Sequence, residues 1–293
     1  MVYMKKTTYL IIFCCFTLNS ININALPLIP ALNTPPSNEV LPGKIIWADI
    51  FTADVNETIN FYTKVFGWTV EEFELNNDNF YLLMNMGKPV AGVIPRLAVN
   101  NISNKAVWVN HLSTPDINQA IKKATELGAE VIFSPNQFGK RGIDSIISDP
   151  LGGLIGMLKS DSGDPKDNEP VIGDWVWAQL FSSNVEKAAK FYSSVFDYTI
   201  QQASELNIKD TFFLMSANKA RAGLAPLPTD IKPRDRWVGF IRVNNINQIL
   251  DRSKAEGARV IFPPQQAVFN GQIAIIADPS GALLGLLSKT DSE

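Results

Sequence analysis

Residues 44–68 read KIIWADIFTADVNETINFYTKVFGW, and residues 174–198 read DWVWAQLFSSNVEKAAKFYSSVFDY. A strand, a turn and an amphipathic helix recurring at a fixed offset mean that one architectural unit is used more than once. In the first copy Ile45, Trp47, Asp49 and Phe51 share one face of a period-two strand, and Ile46, Ala48 and Ile50 share the other. Asp54 is placed to cap the following helix with Glu57 three residues on, a capping-box pattern. Val55, Ile59, Tyr62 and Val65 then recur at helical spacing until Gly67, so one face of that helix must be buried.

Three strand-like runs follow, at Thr69–Leu75, Phe80–Met86 and Val90–Pro95. A second half repeats the order: strand Ala106–Ser113, helix Asp116–Leu127, and strands near Glu130–Phe133, Asp144–Ser148 and Leu154–Leu158. The later part of the chain has the same plan, with helices at Val185–Phe196 and Ile246–Ala255. Four βαβββ units in two pairs predict an α+β protein of two tandem modules, 43–160 and 173–289. A polar, turn-rich linker at 161–172 separates them.

The 293 residues suit two domains, and the 46% hydrophobic content is ample for packed cores. A formal charge of −3 with scattered Lys and Arg lacks the basic footprint of a nucleic-acid binder, so that class of partner is set aside. Lys5 and Lys6 precede the apolar run Tyr9–Leu18 and a polar stretch ending at Asn24-Ala25, which reads as a signal peptide over 1–25. Export to a periplasmic or extracellular location is expected, with lipid or uncleaved anchoring of the N-terminus as the rival and no other membrane contact. Both cysteines, Cys14 and Cys15, fall in this segment, so a chain starting near Leu26 has no thiol for a disulfide, a metal or a nucleophile. Residues 26–42 are proline-rich without a usable period and read as a tether.

The segments FYTKVFGW and FYSSVFDY, LGAEVIFSP and EGARVIFPP, and SDPLGGLIGML and ADPSGALLGLL resemble, in order and repetition, the vicinal oxygen chelate superfamily. That superfamily includes glyoxalases, extradiol dioxygenases and bleomycin- or fosfomycin-resistance proteins. The resemblance covers both modules and implies that each pair of βαβββ units curls one mixed sheet into a cup with helices outside. It also implies a divalent metal in the cup of metal-dependent members, held by the opening strand of each half and by a Glu after the DPxG turn. The present chain departs at every one of those places. Trp47 and Val109 stand there in the first module, Trp177 and Val238 in the second, and Gly156 and Gly285 replace the Glu. None has a metal-binding side chain, so no metal and no other cofactor is expected.

Two residues beyond the lost ligand positions, and on the same side of each strand, the first module has Asp49 and His111. A pseudo-twofold relating the halves would bring them together in the cup as a carboxylate–imidazole pair able to do acid–base work, or as a two-ligand remnant of a metal site. The structural alternative has Asp49 capping backbone and His111 facing solvent or hydrogen-bonded within its strand. The second module has Gln179 and Phe240 at these positions. The resemblance points Trp47 and Trp177 into the cups, where indoles stack on planar ligands, whereas Trp68, Trp108 and Trp237 read as core. Two functions follow. One is an exported, metal-free protein binding a small, aromatic molecule through Trp47, Trp177, Gln179 and Phe240. The other is a lyase or isomerase of the glyoxalase kind using Asp49 and His111, with or without a divalent metal.

Overall fold

The computed structural model describes residues 29–75, 78–95, 106–204, 209–227, 234–266 and 268–288. The expected signal peptide, residues 1–25 with both cysteines, lies outside the described residues. Strand β1 (Ile45–Thr52) leads into α1 (Val55–Phe66), then β2 (Thr69–Leu75), β3 (Asp78–Asn85) and β4 (Lys88–Pro95). The second half runs β5 (Val107–Ser113), α2 (Ile117–Glu126), β6 (Glu130–Phe138), β7 (Gly142–Ser148) and β8 (Leu154–Ser160). The two halves share one eight-stranded mixed sheet in the order β2-β3-β4-β1-β5-β8-β7-β6.

The second module repeats this with β9 (Trp175–Ser182), α3 (Val185–Phe196), β10 (Thr199–Gln202), β11 (Phe212–Ser216) and β12 (Lys219–Pro226). It ends with β13 (Arg236–Val243), α4 (Ile246–Ala255), β14 (Arg259–Phe262), β15 (Ile273–Ala277) and β16 (Leu283–Ser288), and its sheet has the corresponding order. The tandem α+β arrangement expected from the repeat is the arrangement found.

Capping explains where the helices start. Asp54 accepts a hydrogen bond from Glu57 N, and Asp116, Asn184 and Asn245 each do the same for the residue three positions on. The box at Asp54 is only half made, because the Glu57 carboxylate instead accepts from Ser280 Oγ of the other module. Gly67, at φ 73°, closes α1 in the left-handed conformation that glycine adopts without strain.

The helices lie between the two sheets, and each large core is shared. One core joins Phe61, Tyr62 and Val65 of α1 with Ile246 and Leu250 of α4 and the inner faces of both sheets. The other joins Ile117, Ala120 and Ala124 of α2 with Phe191, Tyr192 and Val195 of α3. The opposite, concave faces of the sheets therefore point away from each other, one cup per module.

The stretch expected as a free tether is docked from Ile29 onward. Ile29 is fully buried beside Trp47, Phe80 and Phe138 in the first cup, and its carbonyl accepts from Lys140 N. Asn33 and Ser37 bond to residues 162–164, and Leu41 N donates to Asp164. In the linker Asp167 bridges Lys44, Lys219 and Arg221, which holds its carboxyl below the usual range although burial opposes this. Proline-rich sequence reveals no burial period, so side chains such as Ile29 gave no warning of their destination. Among the described residues, no helix is long and apolar enough to cross a membrane.

Candidate functional site

The centre of the first cup is set by the antiparallel pairing of β1 with β5, where Trp47 lies opposite His111 and Asp49 opposite Val109. All four side chains share the concave face, because Ala48 and Ile50 go to the helix-side core. Asp49 and His111 do converge: His111 Nε2 lies 3.0 Å from Asp49 Oδ2, within ion-pair reach though off the line of a good hydrogen bond. On the other edge of the imidazole, Nδ1 lies 3.0 Å from Asp144 Oδ1 of β7. Trp47 Nε1 donates to Asp49 Oδ1 at 2.8 Å. Glycines make the room. A Cβ at Gly92 would come within 2.0 Å of Asp49 Oδ1, and one at Gly156 within 2.2 Å of His111 Nδ1.

Arg141 completes the group. Its guanidinium lies 3.4 Å from Asp49 Oδ2 and stacks 4.0 Å from the centre of the Trp47 ring, with Phe138 and Phe80 also against it. The result is two carboxylates, one imidazole and one guanidinium, with His111 at 0% exposure and Asp49 and Arg141 at 1%. Burial drives the His111 pKa down, but Asp144 and then Asp49 outweigh it and raise it to about 9. Burial likewise works against ionised Asp49, and Arg141, His111 and Trp47 together bring its carboxyl below the ordinary value. With His111 protonated, the four charges cancel.

Three of these residues, Asp49, His111 and Asp144, have donor atoms within 4.8 Å of one another and form a group that could hold a metal. Their directions limit the fit. The two carboxylates face opposite nitrogens of one ring, so an ion set in line with either nitrogen lies close to one of them. The other is left as the orienting partner of the far nitrogen. Two side chains fall short of the three that zinc-type sites normally use. Arg141 already supplies a cation at Asp49, and Gly156, paired with His111 in the sheet, cannot regain a ligand-bearing side chain under that ring. As arranged, both ring nitrogens of His111 and the Asp49 carboxylate are engaged by partners within the group.

Sequence reasoning found Asp49, His111 and Trp47 but missed Arg141 and Asp144. The internal repeat carries a signal for both. By sheet register Asp144 corresponds to Ile273, and counting back three residues from each sets Arg141 against Asn270, just as Asp49 corresponds to Gln179 and His111 to Phe240. All four charges of the first module are absent together from the second. The solvent-facing alternative for His111 is excluded by its burial. Trp47 is likewise covered, by Arg141 on its ring, rather than open to a ligand.

The second cup is built the same way but its central side chains are less fully covered. Phe240 covers Gly285 and Gln179 covers Gly223. Trp177 Nε1 points to Gln179 Oε1 at 3.4 Å, and Phe213 meets the Trp177 ring edge-on at 6.0 Å. Trp177, Gln179, Phe181 and Phe213 are only partly buried, whereas their first-module counterparts Trp47, Asp49 and Phe51 are buried.

A tandem pair of mixed sheets, each made from two βαβββ units with converging side chains at its centre, defines a glyoxalase-type fold. The chain belongs to the Glyoxalase/Bleomycin resistance protein/Dioxygenase superfamily, whose model matches residues 44–157 and again 175–286. It is 24% identical over 257 residues to the putative glyoxylase CFP32 of Mycobacterium tuberculosis, covering 86% of this chain and 97% of that protein. It is 21% identical over 253 residues to the anthracycline biosynthesis protein DnrV of Streptomyces peucetius, covering 82% and 91%. Among solved structures, the Mn(II)-bound glyoxalase from Novosphingobium aromaticivorans aligns with a TM-score of 0.58 at 16% identity, over 85% of this chain and 83% of that one. A variant of homoprotocatechuate 2,3-dioxygenase from B. fuscum aligns with a TM-score of 0.58 at 17% identity, over 90% and 74%. At these identities the structural likeness shows a shared fold.

Proposed function

We propose that this chain is an exported binding protein that takes a small aromatic molecule on the concave face of its second module, and that the first cup is closed by its own side chains and needs no metal. One observation carries the reading: Trp177, Gln179 and Phe213 remain partly accessible, while Trp47 and Asp49 are sealed beneath Arg141, Phe138 and Ile29. Indole and phenyl faces with a single amide among them suit a planar, mostly apolar ligand. Export rests on the sequence of residues 1–25, and the intact mass of the secreted chain tests it. The test of binding is titration of the native protein with planar aromatic probes, read by tryptophan fluorescence and thermal shift. Binding should be lost in Trp177→Ala and retained in His111→Gln. The opposite pattern refutes the assignment.

The second reading, a lyase or isomerase centred on Asp49 and His111, is favoured by the buried Asp49–His111–Asp144 trio. Against it, an imidazolium held between two carboxylates and closed to solvent has no free nitrogen for a substrate proton. Elemental analysis separates the readings. About one metal ion per chain, lost in Asp49→Ala and His111→Ala, would move the function to the first module.

A further inference from the structure

Strand β13 opens with Arg236, which lies across from Phe181 of β9. Its neighbour Trp237 points to the helix side and donates to Tyr192 Oη, so Arg236 shares the concave face with Val238 and Phe240. In the first module the equivalent position, across from Phe51, is Val107, part of an apolar cluster with Val109, Ile146, Phe133 and Leu154. The second module thus has a guanidinium in the matching apolar end of its cup, beside Phe181.

Among the described residues Arg236 forms no ion pair. Its Nε is buried without a hydrogen-bond partner, and no carboxylate pairs with it among the described residues. Asp235, next in the chain, accepts from Ser183 N and Oγ instead. The nearby Arg234 donates to Gly152 O, and burial followed by the charge of Arg236 lowers its pKa against the opposing charge of Asp149. A partly buried guanidinium without a counter-charge is costly, and an anion arriving with a ligand would relieve it.

We infer that the ligand of the second cup is an aromatic acid whose carboxylate is held by Arg236 and whose ring lies over Trp177, Gln179 and Phe213. This rests on the binding role proposed above for that cup. Arg236 precedes Phe240, the cross-strand partner of Trp177, by four positions, about 13 Å along the strand. The long arginine side chain shortens that span, so one or two rings with a short acid arm fit.

The test compares naphthylacetate with its neutral amide, naphthylacetamide, on the full native chain by tryptophan quenching. The acid should bind about tenfold more tightly. Arg236→Gln should abolish the preference for the acid over the amide, and Arg236→Lys should restore part of it. Should Arg236→Gln not fold, the salt dependence of the native protein decides, since the preference for the acid must narrow as ionic strength rises and amide binding must not change. Equal binding of acid and amide, or a preference that survives Arg236→Gln or high salt, overturns the anion assignment and leaves the binding role of the cup standing. Failure of both probes to bind, or binding unaffected by Trp177→Ala, removes the binding role and this inference with it.

Discussion

Tyr62 of the first module donates its phenolic hydrogen to Asp278 Oδ2 of the second at 2.9 Å, and Trp108 Nε1 in turn donates to Tyr62 Oη at 2.7 Å. The mirror relation joins Tyr192 to Asp149 Oδ2 at 2.8 Å, with Trp237 behind it. The Phe-Tyr pair within the first helix of each module and the Asp-Pro turn of the other are thus two ends of one buried bond. Removing either hydroxyl leaves a carboxylate oxygen and an indole N–H unsatisfied. Tyr62→Phe and Tyr192→Phe should each cost about 1–3 kcal/mol of stability. Urea denaturation followed by far-UV circular dichroism measures this, and a loss indistinguishable from zero would show that water replaces the hydroxyl.

The buried ion cluster should be strongly non-additive. His111→Phe alone leaves Asp49 and Asp144 facing a single cation, Arg141, and should destabilise by about 3–5 kcal/mol. Transplanting the second module's residues together, as Asp49→Gln, His111→Phe, Arg141→Asn and Asp144→Ile, removes every charge at once and should recover most of that loss. If the fourfold variant is as unstable as the sum of its parts, the four residues do not act as a unit.

Stability should peak on the acid side of neutral. His111 is raised to about 9 in the folded chain, so its contribution is complete below its unfolded value of about 6.5 and is lost as pH climbs through about 9. Asp278 is pushed by burial up to about 6, so holding it ionised disfavours the fold increasingly from about pH 4 to about pH 6. Asp49, with a lowered pKa, sets the acid limit, since its contribution disappears as it protonates below its ordinary range. Denaturation midpoints at pH 5, 7 and 9, each about two units apart, should fall in that order, and the drop above about pH 7 should vanish in the fourfold variant.

Divalent ions should leave the native protein unmoved. A ligand that binds only the folded state raises its melting temperature, so Mn(II) or Zn(II) held in the first cup would be visible in a thermal scan. No rise is expected while Arg141 occupies the Asp49 carboxylate. A rise that disappears in Asp144→Ala would show that the cluster rearranges to chelate.

Much of this architecture is legible in the sequence because burial there is periodic. The helices Val185–Phe196 and Ile246–Ala255 have the expected limits. The meeting of Asp49 with His111 follows from an offset shared by two opening strands. Arg141 and Asp144 escaped for a physical reason: Arg141 lies in the turn between β6 and β7 and Asp144 near the start of β7, and polar residues in turns and near strand ends ordinarily face water. Here they turn inward because each finds an opposite charge there. Ile29 escaped because a single apolar residue in a proline-rich segment has no period to reveal it.

Since each large core takes one helix from either module, neither half of the chain owns a complete interior. The chain is in effect an obligate dimer whose subunits have been joined end to end. Severed between Glu169 and Val171, the two parts should remain associated. A solitary first half would expose the flanks of α1 and α2 and would have to recruit a copy of itself to cover them. Fusion also frees the partners to differ, so one can carry a sealed ionic centre while the other leaves Trp177, Gln179 and Phe213 partly exposed, a difference that identical subunits cannot show.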